Sequence, residues 1–127
     1  MQDKHLYEYA VIRVVPKVER EEFINVGIIL FSKKAKYIKM QYTFDRNRLA
    51  LFNRDLDLDA VESALQAFEK IAHGDKKCGT ISSMDIAERF RWLTAVKSAC
   101  IQTSRPHPGF SDNLNNTVQR LFDELVL

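Results

Sequence analysis

The chain has 127 residues, of which 46% are hydrophobic and 28% charged, the make-up of one globular domain rather than of a disordered tail. Its longest apolar run, Val26 to Phe31, is far shorter than the ~18 residues that mark a membrane span. Nineteen basic and seventeen acidic residues leave +2, and the two cysteines, Cys78 and Cys100, fit neither a zinc framework nor a redox pair.

The charge is uneven along the chain. Residues 1–48 carry a local +4, residues 49–75 a local −4 and residues 76–127 a local +2. Met1 to His5 has no secretory pattern, so the expected setting is a reducing cytoplasm. Leu6 to Val15 is rich in Tyr, Val and Ile, apolar on both alternating faces, and reads as a central strand. Pro16 ends it. A polar connection runs from Lys17 to Phe23. Ile24 to Phe31 is a second central strand, and Gly27 inside it marks a bulge or a close backbone approach. After the turn Ser32 to Ala35, Tyr37 to Tyr42 alternates, with Tyr37, Lys39 and Gln41 expected on a wet face.

Helical spacing begins after Asn53. Leu58, Val61, Leu65, Phe68 and Ala72 form one stripe, Asp59 and Glu62 suit its start, and Gly74 suits its stop. Residues 75–80 read as a loop. Ser82 with Asp85 predicts the cap of a second helix striped by Ile86, Phe90 and Leu93. Residues 99–104 read as a strand. Arg105 to Gly109, with two prolines and a glycine, reads as a loop. A last helix starts near Ser111 or Asp112, striped by Leu114, Val118, Leu121 and Leu125. The expected fold is a single α+β domain over residues 1–127. An antiparallel sheet of about four strands carries three helices, in the order β-β-β-α-α-β-α.

The glycines have neither GxGxxG nor GxxxxGK spacing, so no phosphate cradle and no cofactor is expected. His73 and Cys78 are five apart but have no second ligand pair, so no metal is expected either. Ser104 and His107 offer a hydroxyl and an imidazole for a hydrolase or transferase, or simply tie a turn. Lys33, Lys34, Lys36 and Lys39 beside Tyr37 outline a nucleic-acid platform, or a lysine-blunted sheet edge. A third group is more specific. Arg20, Glu22 and Asn25 flank one apolar strand, while Gln102, Ser104 and His107 leave another. Polar side chains that enter core strands need partners. If the two segments meet, these residues form one polar cluster, either a recognition surface or a network that fixes the loops.

Two stretches carry a resemblance. Tyr9 to Pro16 with Glu19 to Phe31 is one; Arg89 to Leu93 with Ser98, Ile101 to Ser104 and His107-Pro108-Gly109 is the other. With the leucine-rich end Leu121 to Val126, they resemble the bacterial domain-of-unknown-function family 3037. Lys97 stands where the pattern favours arginine. The resemblance implies a small accessory protein, encoded beside a kinase similar to the HipA toxin group. The leading expectation is therefore a cytoplasmic binding module with a protein partner, ahead of a nucleic-acid binder and a small enzyme.

Overall fold

The computed structural model describes residues 4–74, 84–95 and 100–127. The expected loop 75–80, Cys78, Ser82, Lys97 and Ser98 lie outside them. The fold is α+β, built on one antiparallel sheet. Its strands are β1 (His5–Val14), β2 (Ile24–Ser32), β3 (Tyr37–Tyr42), β4 (Ile101–Thr103) and β5 (His107–Ser111). The helices are α1 (Arg46–Phe52), α2 (Leu58–Ala72), α3 (Ile86–Thr94) and α4 (Leu114–Leu125), and one 3-10 turn covers Val18–Arg20.

β1 is the axis of the sheet. It pairs with β2 and then β3 on one side. On the other side it pairs with β5 through His5–Tyr9 and with β4 through Ile12–Val14. Both faces of β1 and β2 are used, as their two-sided apolar pattern requires. On one face Ala10, Ile12, Val14, Ile29 and Phe31 pack under Leu49 of α1, Val61 and Leu65 of α2, and Phe90 of α3. Phe31 and Phe90 stack with centroids 5.1 Å apart. On the other face Tyr7, Val11, Ile28 and Leu30 pack against Val118, Leu121 and Phe122 of α4.

A bulge sets which residues face α4. Ile12 pairs with Gly27 but Arg13 pairs with Asn25, so Val26 is the extra residue. Gly27 is required there for space, because a Cβ would meet Gln41 O and Tyr42 Cβ of β3 at 2.8 Å each. The mid-strand glycine thus marks both a bulge and a close approach.

Several elements differ from the sequence reading. There are five strands and four helices among the described residues. α1 spans only seven residues and buries Leu49 alone, so it shows no stripe; Asp45 caps it through Arg48 N. Asp57, not Asp59, caps α2, and Asn113, not Ser111 or Asp112, caps α4. Asp85 does cap α3. Gly74 follows the end of α2 with φ 75°, as expected of a stop. The expected wet face of β3 is only partly wet: Lys39 is exposed, but Tyr37 donates to Asn115 Oδ1 at 2.7 Å and Gln41 Nε2 to Gln119 Oε1 at 3.1 Å, both on α4.

The largest correction is β5, which occupies part of the expected loop Arg105–Gly109. Ser104 N donates to Val11 O at 2.8 Å and Val15 N to Cys100 O at 2.7 Å, so odd positions of β1 turn their backbone groups toward β4 and β5. Even positions turn toward β2, where Ser32 Oγ donates to Leu6 O. Pro108 and Phe110 lie opposite Glu8 and Leu6. Their backbone groups therefore face outward, and the N–H that proline lacks is not needed in the ladder. Gly109 lies opposite Tyr7, whose ring occupies the space of a Cβ.

Candidate functional site: a polar row beside helix α4

α4 lies over β2 and β3. The other half of that sheet face, on β1, β4 and β5, carries a row of polar side chains. Arg13 is opposite Asn25 on β2 and opposite Gln102 on β4. Cross-strand partners share a face, so the three lie side by side across three strands, with Asn25 and Gln102 roughly 10 Å apart. The two sequence segments therefore share one face, each beside Arg13.

Asn25 marks the border of the covered half. Its Nδ2 donates to Leu125 O at the end of α4 at 3.1 Å, while its Oδ1 is buried without a partner among the described residues. Arg13 is half-buried, and its Nε is likewise buried and unpaired. Its guanidinium carbon sits 4.0 Å from the ring centroid of Phe23, a residue 45% exposed. Burial pushes the Arg13 guanidinium below its ordinary pKa, yet it stays charged at any physiological pH. The ion pairs among the described residues all involve other arginines, so Arg13 has no carboxylate partner there. The result is a positive charge, flattened on an aromatic ring, with an unpaired acceptor beside it.

The remaining candidates divide. His107 is opposite Tyr9 on the same face, with ring centroids 5.3 Å apart, and Tyr7 continues this ladder at 6.3 Å from Tyr9. Ser104 is tied to backbone: Oγ accepts from Val11 N at 2.9 Å and donates to Arg105 O at 3.1 Å. That is the work of a residue fixing the connection between β4 and β5. Arg20 and Glu22 do not join the row; they pair with each other at 2.7 Å and are exposed. The lysine hairpin loses its stacking platform, since Tyr37 is bonded to α4 and burial raises its pKa. Lys33, Lys34, Lys36 and Lys39 remain exposed around it. His73 Nε2 accepts from Met40 N at 3.4 Å, and Cys78 is outside the described residues.

Residues 9–126 match the family model described as a protein of unknown function (DUF3037). The chain belongs to the DUF3037 family. The matched span of this DUF3037 chain contains Arg13, Asn25, Gln102 and His107, so the whole row belongs to the shared domain. No curated protein and no solved structure matches the chain.

Sequence reasoning missed Arg13, the centre of the row. The signal was present: it is the one charged side chain between Ala10 and Pro16 of an otherwise apolar strand. Such a residue has to find a partner or an opening to water.

Proposed function

We propose that this chain is a small cytoplasmic accessory module that binds a protein partner on the open half of the sheet face, with Arg13 as the anchoring contact. The observation that carries the reading is the unmatched Arg13 charge between Asn25 and Gln102. A carboxylate on a partner would meet the guanidinium in two hydrogen bonds, and a donor would satisfy Asn25 Oδ1. The neighbouring Tyr9 and His107 supply flat, rigid surface of the kind interfaces favour. Arginine and tyrosine anchors of this sort carry a disproportionate share of binding energy.

The family resemblance points to a HipA-like kinase as the partner to try first. An NMR titration of the labelled chain with such a kinase tests the reading. The expected footprint covers Arg13, Phe23, Gln102, Tyr9 and His107. A footprint confined to the lysine hairpin, or no complex at all, overturns it. No helix among the described residues is long and apolar enough to cross a membrane.

A further inference from the structure

We infer that a groove at the far end of β1 is a second docking site, for an acidic polypeptide segment that carries one apolar side chain. It does not depend on the Arg13 reading. Leu6 and Arg13 are on opposite faces of β1 and roughly 23 Å apart along it.

The groove has a volume of about 590 Å³. Leu6, Phe31 and Phe110 give it an apolar lining, and Lys4, Lys33 and Lys34 stand around it. Its acidic lining residue, Glu8, is matched by Arg91 of α3 in two hydrogen bonds of 3.1 and 2.9 Å. The net field is therefore positive, and it favours a negatively charged occupant. Leu6 is 53% exposed and Phe110 69% exposed, and they sit opposite each other across the β1–β5 pair. Adjacent large apolar side chains left in water are what a binding patch presents.

The chemistry favours a polypeptide over other anions. β5 pairs only with β1 among the described residues, and the backbone groups of Phe110 and the carbonyl of Pro108 face outward along the rim. An extended segment can pair with that edge and set a side chain against Phe110 and Leu6. A nucleic-acid backbone would use the lysines and leave Leu6 and Phe110 bare. A lipid surface is flat where this site is concave.

The test uses the full chain and a short peptide of Glu and Asp with one central Leu, followed by NMR. The peptide should shift the signals of Leu6, Phe110 and Lys33. Exchanging its leucine for serine should weaken binding about tenfold or more. Lys33→Glu with Lys34→Glu should weaken it by about tenfold and flatten its salt dependence. The serine peptide, tested on the unaltered chain, keeps the outcome decisive even if the charge-reversed variant fails to fold. Equal binding of the leucine and serine peptides overturns the site. So does an undiminished affinity in a folded charge-reversed variant, no binding of the acidic peptide, or groove shifts produced by an oligonucleotide or an anionic vesicle in its place.

Discussion

The two halves of the α4 face of the sheet differ in what closes them. Over β2 and β3 the face is covered by α4, with Ile28 and Leu30 fully buried, Tyr37 and Gln41 half-buried and bonded to the helix, and Lys39 exposed at the edge. Beyond the edge of α4, on β1, β4 and β5, the face keeps the charged Arg13, the amide of Gln102 and the stacked Tyr9 and His107. A sealed half needs apolar volume and satisfied polar tips. An open half tolerates Arg13 without a carboxylate only because water, or a partner, completes it. The same strand, β1, borders both halves, so the difference comes from side chains and not from backbone.

That contrast is broken most severely in the sealed core. Ile28 and Ile29 point to opposite faces and are both fully buried. Ile28→Ala or Ile29→Ala should each cost about 2–5 kcal/mol in chemical denaturation. A cost below about 1 kcal/mol at Ile28 would show that α4 does not seal its half. Next in size is the bulge that aims Asn25 at Arg13. Gly27→Ala forces a Cβ into Gln41 O and Tyr42 and should cost about 1–3 kcal/mol. It should also shift the NMR signals of Arg13 and Gln102, which an ordinary packing defect at β3 would leave in place.

Smaller effects sharpen the border. Tyr37→Phe removes the bond to Asn115 and should cost about 0.5–1.5 kcal/mol, with faster amide exchange in the first turn of α4. Smallest is the hairpin. Lys33, Lys34 and Lys36 replaced together by Gln should change stability by less than about 0.5 kcal/mol, since all three are exposed and have no ion pair among the described residues.

The parts legible in the sequence were those written in apolar pattern. β1 and β2 announced themselves as two-sided strands, and the stripes of α2 and α3 were recovered, as was that of α4 apart from Leu125, which is exposed. What failed was short or depended on distant residues. α1 has too few buried positions to show a period. β5 runs through Pro108 and Gly109, which local rules exclude; an outward-facing proline and the ring of Tyr7 permit them, and neither is visible locally. The wet face assigned to β3 is half-covered at Tyr37 and Gln41 because α4 returns to it from the end of the chain, while Lys39 stays exposed. The candidate cluster was half legible. Asn25 and Gln102 were named from their positions at strand ends, and both flank Arg13 on one face without touching each other. Arg20 and Glu22 were grouped with them by proximity in sequence, but each had a better partner two residues away.

The central claim is that Arg13 is an anchor for a partner and not a structural residue. Calorimetric titration of a HipA-like kinase with the wild-type chain, Arg13→Lys and Arg13→Ala tests it most directly. Loss of the cation–ring contact with Phe23 should lower stability by only about 0.5–1 kcal/mol. Affinity should fall about 30-fold or more in Arg13→Ala, and by less in Arg13→Lys, which keeps the charge but not the planar fork. Folded Arg13→Ala protein that binds the kinase as tightly as the wild type would contradict the account.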